Sequence, residues 1–346
     1  MEKNIRKLKV AVLLGGDSPE RDVSLASGGE IIKALRGRGH EVFPVDSARP
    51  DGKYREGENS GIDTEPPEEV PRVDSAESLG WLRGEWTGRA DLLFNALHGG
   101  AGEDGTVQAL LETAGVVYTG AGILGSAIAM NKDLSKALMS QAGVQTAEHI
   151  LYSCRQGAAD KEIEKRIGEG IGFPVVVKPN SQGSSVGFSF VEKASELDGA
   201  LKKGAEFGDK LIIERYIPGR ELTVAVVGGE AFPPVEIIPE GGFYNYKCKY
   251  TKGSSEYVVP AEIEPACAES LKTQALIAYN TLLCRDYARV DFRVDSESGI
   301  FCLELNTLPG MTQLSLVPMA AGQAGIPFDM LIEKICLLAL ERSGKK

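Results

Sequence analysis

Apolar and polar positions follow one pattern in the first third of the chain. Short β-branched runs alternate with amphipathic stretches, which predicts strands at residues 8–14, 41–45, 91–97 and 116–119 and helices at about 24–35 and 104–114. Strands that alternate with helices predict a mostly parallel sheet. Ligands of such sheets lie at the carboxyl ends of the strands, and Glu20 and His98 both come just past a predicted strand.

A different pattern begins near residue 146, where short strands come in pairs joined by glycine-containing turns. The predicted pairs are 174–178 with 188–191, 221–227 with 233–238, and 287–294 with 300–306. Helices are predicted at 131–142 and at about 195–205, 266–284 and 328–342. The fold class is therefore α/β in the first third and antiparallel α+β afterwards. Residues 47–75, rich in Pro, Gly and acids, are predicted to be a surface insertion without chemistry of its own.

Length, composition and charge indicate how many domains the chain can form and which partners it can bind. A chain of 346 residues suffices for two or three domains, and 42% hydrophobic with 25% charged residues is typical of soluble globular proteins. The net charge of −11 argues against nucleic acid or an anionic membrane as a partner, because both need a basic face. No run approaches the ~18 apolar residues of a membrane span. Six scattered cysteines without a CxxC pair indicate reduced thiols, so we expect a cytoplasmic protein.

A lysine at the end of a buried strand precedes a loop of small residues. Lys178 ends the apolar run, and Gly183, Ser184, Ser185 and Gly187 follow it. Backbone N–H groups and hydroxyls with little side-chain bulk can cradle anionic oxygens, and a lysine adds a point charge. The pattern predicts a phosphate site. The alternative is a flexible hairpin loop with a solvated lysine.

Three oxygen-bearing side chains lie on the last predicted hairpin. Asp291 is on its first strand, and Glu304 and Asn306 are two residues apart on its second. Residues two apart point to one face of a strand, and a short turn makes the two strands neighbours. Two carboxylates and an amide oxygen suit Mg²⁺ rather than zinc. A solvated polar face is the alternative interpretation.

The opposite face of this hairpin is predicted to be dry. Leu303, Leu305, Phe292 and Val294 are expected to point away from the acids. Arg289 is expected to share the acidic face, where its charge can neutralise a developing oxyanion.

Two further motifs are less specific. The GxGxxG at residues 120–125 lacks a well-placed acidic residue about 20 positions on, so it does not predict a dinucleotide site. The aromatic and basic stretch 244–250 has two interpretations. It packs on a neighbouring element, or Lys249 and Tyr250 close as a lid over phosphate.

Taken in order along the chain, these motifs resemble the D-alanine–D-alanine ligases of the ATP-grasp superfamily. The matching stretches lie at residues 13–24, 97–105, 118–120, 177–187, 289–291, 304–312 and 315–318. Each is modestly specific, but their order is very specific and covers nearly the whole chain outside 47–75. The resemblance implies an ATP-grasp fold with a substrate-binding α/β domain at 1–120, a central subdomain at 121–215 and a C-terminal subdomain at 216–346. ATP would lie between the last two.

The resemblance also implies a reaction. ATP would phosphorylate the carboxylate of one D-alanine, and the amine of a second D-alanine would attack the acylphosphate. The products would be D-alanyl-D-alanine for peptidoglycan precursor synthesis, ADP and phosphate. Mg²⁺, as two ions and with Mn²⁺ as a substitute, is the implied metal, and a homodimer is the implied assembly.

The family pattern assigns roles to individual residues. ATP would be held by Lys132, Lys178, Ser185 and Lys249 at the phosphates, Glu214 at the adenine and Glu221 at the ribose. Glu20 and His98 would hold the first D-alanine, whereas Ser315, Leu316 and Arg289 would hold the second. Arg289 and the Gly310 N–H would stabilise the tetrahedral oxyanion, and Asp291, Glu304 and Asn306 would hold the metal. Glu20, Ser184 and Tyr250 would form a hydrogen-bonded triad that keeps the lid loop closed against water.

Three other functions are considered. Tyr250 favours D-alanine over D-lactate as the acceptor, whereas a ligase that uses D-serine stays open. A protein of the same fold that has lost its chemistry and acts as a nucleotide-binding regulator also stays open. The sequence retains the metal carboxylates, the phosphate lysines and Arg289, which favours the active ligase.

Overall fold

A computed structural model of the chain describes residues 6–49, 51–55, 77–154, 160–244, 248–249 and 253–344. Its strands are β1 Lys9–Leu14, β2 Glu41–Asp46, β3 Leu92–Asn95, β4 His149–Ser153, β5 Val175–Pro179, β6 Ser189–Val191, β7 Lys210–Arg215, β8 Arg220–Val227, β9 Glu230–Ala231, β10 Val235–Pro239, β11 Ser255–Val258, β12 Tyr287–Asp295 and β13 Gly299–Asn306. Its α-helices are α1 Arg21–Gly37, α2 Thr106–Thr113, α3 Ile123–Met130, α4 Lys132–Gln141, α5 Asp160–Glu169, α6 Leu197–Ala205, α7 Pro265–Thr281, α8 Leu316–Gln323 and α9 Phe328–Arg342. Within these residues, no helix is long and apolar enough to cross a membrane.

The N-terminal sheet is parallel, with strand order β2-β1-β3, as predicted. Successive residues of β1 are all apolar because each face of the strand is buried in a different core. Val10 and Val12 pack with α1, whereas Ala11 and Leu13 pack with α2 and the tryptophans Trp81 and Trp86. The carboxyl ends of β1 and β3 are thereby held at one edge.

The central sheet is antiparallel, with strand order β4-β7-β5-β6. Its apolar face packs against α5 and α6, in a core that includes Ile163, Ile167 and Leu201. The opposite face carries Lys178 and Glu214. This sheet therefore has one dry face and one polar face, which is the usual division in an antiparallel sheet.

The C-terminal sheet is antiparallel, with strand order β11-β10-β8-β12-β13, and β9 pairs with β8. On β8, Leu222, Val224 and Val226 face α7, whereas Ala225 and Val227 share a core with α1 and α9. One apolar core thus joins the N-terminal unit to the C-terminal sheet. That shared core holds the ends of β1 and β3 in place relative to the hairpin β12–β13.

Several sequence predictions need correction. Residues 116–119 do not form a strand, because Tyr118 makes only an isolated parallel bridge with Leu93. The sequence analysis did not predict α3, α5, α8, β4, β7 or β11. Periodicity does not separate a short apolar run such as β7 from a buried helical segment. Most of the proposed 47–75 insertion lies outside the described residues, although Lys53 bridges to Val45.

Candidate active site

A cavity lies between the central and C-terminal sheets. It contains about 910 Å³ of space, including its open mouth, which suits a ligand of nucleotide size. Its polar lining includes Lys132, Lys178, Ser185, Glu214, Glu221, Lys249, Asp291, Arg293 and Glu304. The sequence analysis predicted all of these except Arg293. Residues far apart in the chain meet here because the two sheets face each other.

Aromatic and aliphatic side chains form one wall of this cavity. Phe190 lies 4.9 Å from Tyr216 and 5.0 Å from Phe243 between ring centroids, and Phe188 lies 5.7 Å from Phe243. Phe188, Tyr216 and Phe243 line the cavity together with Val176. The sequence analysis missed this wall, because its members come from four separate segments.

A buried carboxylate at the base of the cavity is held by two lysines. Glu214 Oε1 lies 2.6 Å from Lys178 Nζ, and Glu214 Oε2 lies 3.0 Å from Lys136 Nζ. Burial would raise the pKa of Glu214, but the two lysines outweigh it and lower this pKa to about 2. Burial would also lower the pKa of Lys178, but Glu214 and Glu304 raise it above its ordinary value. Glu214 and Lys178 are therefore both charged at neutral pH.

The predicted metal ligands lie together on the hairpin β12–β13. Asp291 pairs directly with Glu304, and Arg289 pairs with Asn306. Asn306 Nδ2 donates to Asp291 Oδ2 at 2.9 Å, and Arg289 donates to both Asp291 oxygens at 2.8 and 2.7 Å. The face shared by Asp291, Glu304, Asn306 and Arg289 is thus the one that the sequence predicts.

Glu304 is ionised in this setting. Lys132 Nζ lies 3.2 Å from Glu304 Oε2 and donates to the Gln182 carbonyl at 2.7 Å. Burial alone would raise the pKa of Glu304, but Lys132, Lys178 and Lys249 hold it below its ordinary range. Across the described residues, no group of three His, Cys, Asp or Glu side chains could hold a metal by itself. The donor set fits Mg²⁺, which is commonly bound by one or two carboxylates together with substrate phosphates.

One prediction about this hairpin is wrong. Leu303 was expected to face away from the acids, but it lines the cavity beside Glu304. The pairing register shifts between Asp291 and Phe292, so an extra residue is inserted in β13 opposite them. A bulge interrupts the strict alternation of side chains. Leu305 and Phe292 do lie in the opposite core, as predicted.

The small-residue loop after Lys178 reaches the N-terminal unit. Ser184 donates a hydrogen bond to Glu20 Oε1, which joins residues 164 positions apart. Ser184 and Ser185 have φ values of 46° and 60°, a left-handed conformation that L-residues adopt rarely. Backbone of this kind turns successive N–H groups toward one side and favours anions. Tyr250, the third member of the predicted triad, lies outside the described residues.

A second carboxyl group lies beside Glu20. Burial, together with the negative charge of Glu20, raises the pKa of Glu103 to about 8, and burial likewise raises the pKa of Glu20. Glu103 Oε2 accepts the Gly99 N–H at 3.2 Å. The sequence analysis did not assign Glu103 a role, although it belongs to the glycine-rich stretch that follows His98.

His98 has protein partners at both ring nitrogens. Nδ1 lies 2.8 Å from the Leu308 carbonyl, and Nε2 lies 3.0 Å from Ser27 Oγ. Ser27 Oγ also accepts the Met311 N–H at 3.1 Å. Because a carbonyl only accepts, Nδ1 donates to Leu308 and the Ser27 hydroxyl donates to Nε2. His98 and Ser27 therefore hold both sides of the loop that contains Gly310.

Gly310, Ser315 and Leu316 lie around the beginning of α8. Ser315 is the residue before this helix, and its Oγ accepts the Thr312 N–H at 3.0 Å. Leu316 is buried in the core that joins the N-terminal unit to the C-terminal sheet. The N-terminus of a helix favours an anionic ligand.

Glu221 and Lys249 complete the cavity. Burial raises the pKa of Glu221 to about 7, although Arg293, 3.5 Å away, opposes this increase. The Lys249 ammonium lies 5.3 Å from the centre of the Tyr244 ring. Lys249 and Tyr244 therefore contact each other within the segment that is predicted to form a lid.

Comparison with known proteins shows similarity over nearly the whole chain. Residues 9–121 match the family described as D-ala D-ala ligase N-terminus, and residues 138–337 match D-ala D-ala ligase C-terminus. The D-alanine–D-alanine ligase of Geobacter sulfurreducens is 39% identical over 97% of this chain and 95% of its own length.

Two solved structures are also similar. A D-alanine–D-alanine ligase from Bacillus anthracis, complexed with ATP, has a TM-score of 0.77 and 30% identity, covering 98% of this chain and 99% of its own. The VanG D-Ala:D-Ser ligase from Enterococcus faecalis has a TM-score of 0.78 and 27% identity, covering 96% and 100%.

Proposed function

The chain belongs to the D-alanine–D-alanine ligase family, and we infer that it is an ATP-dependent enzyme that joins two D-alanines. The observation that carries this function is the cavity itself. Three lysines line it together with the carboxylates of Asp291 and Glu304, and Ser184 connects its loop to Glu20 at the edge of the N-terminal sheet. The reaction supplies D-alanyl-D-alanine for peptidoglycan synthesis.

ATP occupies the cavity between the two antiparallel sheets. The aromatic wall of Phe188, Tyr216 and Phe243 suits the base. Glu214 offers an acceptor for the amino group of adenine. Glu221 lies where it can accept a ribose hydroxyl. Lys132, Lys178, Lys249 and the loop at Ser185 supply positive charge and N–H donors for the phosphates.

Mg²⁺ fits the oxygen donors of Asp291, Glu304 and Asn306, with Mn²⁺ as a substitute and two ions as the proposed number. Bound with ATP, it would neutralise the charge of the phosphates during phosphoryl transfer. Neighbouring side chains keep these ligands ionised and in position. Lys132 keeps Glu304 ionised, and Thr223 Oγ1 donates to Asp291 Oδ1 at 2.6 Å, which fixes that carboxylate.

The first D-alanine binds at the edge of the N-terminal sheet. Glu20 holds the ammonium of the first substrate and Glu103 adds a second carboxyl group there, while His98 lies near its carboxylate. After the acylphosphate forms, the amine of the second D-alanine attacks it. Arg289 and the Gly310 N–H are the proposed donors to the oxyanion, since a cation and a backbone N–H both stabilise developing negative charge. Ser315 and Leu316, at the beginning of α8, seat the second substrate.

The loop at Ser184 acts as part of a lid. Its contact with Glu20, supplemented by Tyr250, closes the site and keeps water from the acylphosphate. Hydrolysis of that intermediate would otherwise compete with peptide formation.

The remaining proposals concern organisation and location. Three sheets, one in each of 1–120, 121–215 and 216–346, support the proposed division into three units. Six free cysteines and the use of ATP support a cytoplasmic location. Exposed apolar side chains at Ile123, Leu124 and Leu283 offer a surface for a homodimer, which light scattering in solution would test.

Phosphate release from ATP and Mg²⁺ tests the proposed function, with D-alanine, L-alanine, D-serine or D-lactate as substrate. Release that depends on D-alanine, with D-alanyl-D-alanine identified by mass, is the expected result. A mixed product with D-serine or D-lactate would assign a different acceptor. If ATP binds but no substrate supports turnover, the ligase is excluded and the nucleotide-binding regulator is favoured.

A further inference from the structure

Lys136 is a buried lysine that the proposed mechanism does not use. Its side chain has no exposed surface and lies behind Glu214, away from the cavity. Its charge also acts on the buried Cys302 thiol, which lies in the core under the C-terminal sheet. Removing a lysine charge from water costs several kcal/mol, and a buried ion pair is weak evidence for stability. Packing and stability therefore do not explain why a charged residue occupies position 136.

The helix α4 carries two lysines on one face. Lys132 and Lys136 are four residues apart, so their side chains lie one turn from each other. The first turn of α4 is attached to the residue after β5, because the Lys132 N–H and the Asp133 N–H donate to the main-chain and side-chain oxygens of Asn180 at 3.0 and 2.9 Å. The helix thus directs Lys132 toward Glu304 and Lys136 toward Glu214 as one rigid unit.

The charges around Glu214 determine what Lys178 can do. With Lys136 present, Glu214 and its two lysines sum to one positive charge, so Lys178 is left in excess on the cavity wall. Without Lys136, Glu214 and Lys178 would neutralise each other, and the wall would lose the charge that faces the nucleotide. We propose that Lys136 is a positioning residue for ATP, which holds Glu214 in place as an anion and balances its charge, so that Lys178, although it also contacts Glu214, keeps a net positive charge for the nucleotide. This inference rests on the proposed function.

The other charged groups near Glu214 do not replace Lys136. His149 is the register partner of Glu214 on β4, but its Nε2 lies 3.1 Å from Asp133 Oδ1. Glu304 and Glu221 lie across the cavity and are themselves acidic. Removal of Lys136 therefore leaves Lys178 as the cation in contact with Glu214.

The test compares Lys136→Met, Glu214→Gln and the double variant with wild type. Methionine keeps the length of the lysine stem without its charge. Lys272→Met on α7 is the matched control, since within the described part of the chain the ion pair of Lys272 is an exposed contact with Glu269 at 2.9 Å. The KM for ATP, kcat and the binding of a non-hydrolysable ATP analogue by calorimetry are measured between about pH 6 and pH 9.

In Lys136→Met we expect the KM for ATP to rise at least about tenfold, while kcat at saturating ATP changes by no more than about twofold. The rise in KM is expected at every pH in this range. The double variant should bind the analogue as well as Glu214→Gln does.

Two results would overturn the inference. One is a folded Lys136→Met enzyme with the wild-type KM for ATP at every pH. The other concerns binding of the ATP analogue. If Lys136→Met weakens that binding by the same factor in the Glu214→Gln background as in wild type, Lys136 acts independently of Glu214. If Lys136→Met does not fold, the comparison of Glu214→Gln with the double variant decides alone. Failure of the proposed function is separate, because wild type and Lys272→Met would then show no D-alanine-dependent phosphate release.

Discussion

Protonation of His98 should destabilise the N-terminal unit in mild acid. The ring is buried, and its neutral form satisfies both nitrogens by donating to Leu308 and accepting from Ser27. Burial, helped by the nearby charge of Arg289, lowers the pKa of His98 from 6.5 to about 4, although the Leu308 carbonyl opposes this. A protonated ring would have to donate from Nε2, where the Ser27 hydroxyl now donates. The prediction is therefore tested by lowering the pH. His98→Gln serves as the control because a glutamine side chain does not titrate.

The magnitude follows from the two pKa values. In the unfolded chain His98 takes up a proton near its ordinary pKa of 6.5, whereas the folded protein resists until about pH 4. Between these values the unfolded state binds more protons, so stability is fully present above about pH 6.5 and is lost as the pH falls toward about 4. The difference between the two pKa values corresponds to roughly 3 kcal/mol of unfolding free energy, because one pKa unit is equivalent to about 1.4 kcal/mol.

Urea unfolding of wild type and His98→Gln across this range measures the effect. Both tryptophans, Trp81 and Trp86, are buried and stacked in the N-terminal unit, so tryptophan fluorescence reports on the unit that holds His98. The difference in unfolding free energy between the two proteins should be constant above about pH 6.5 and fall by roughly 3 kcal/mol by about pH 4. Other titrating groups cancel in that difference. A difference that stays flat across the range would refute the assignment of a neutral, buried His98.

Four further variants test the site. Glu304→Gln should fold normally and lose activity by at least roughly 100-fold, as expected for a direct metal ligand, and unchanged turnover at saturating Mg²⁺ would contradict the metal assignment. Ser184→Ala should increase the fraction of ATP hydrolysed without dipeptide, measured as the ratio of phosphate to product, and Tyr250→Phe should act in the same direction; wild-type coupling in both would count against the lid. Ser27→Ala should cost about 1–3 kcal/mol of stability because the Met311 N–H loses its acceptor, and an unchanged unfolding midpoint would show that this contact is unimportant.

Short-range signals in the sequence carried much of the prediction. The hairpin β12–β13 is closed by a few residues, so its register is local, and the spacing of Asp291, Glu304 and Asn306 was enough to assign them to one face. The same holds for Lys178, which follows a recognisable apolar run. Strands flanked by helices likewise predicted the parallel sheet at the N-terminus. These features depend on short separations, such as the 15 positions between Asp291 and Asn306, and side-chain alternation and turn chemistry are informative over that range.

Contacts between distant segments could be predicted only where the family resemblance supplied them. Glu20 and Ser184 were paired in this way, whereas Glu103 beside Glu20 and the network from Ser27 through His98 to Leu308 were not predicted. His98 and Leu308 are 210 positions apart. No periodicity along the chain encodes such a separation.

From the sequence alone, the chain's class of fold, its nucleotide chemistry and the identity of most charged groups in the cavity could be established. Only the tertiary structure decided which of those charges face each other. Lys136 illustrates the difference: on the sequence it is one of two lysines on an amphipathic helix, and in the fold it is fully buried against Glu214. Leu303 shows the same for an apolar residue, since a bulge places it in the cavity. The physical reason is that burial and pKa depend on every element packed around a group, whereas sequence patterns report only on its own element.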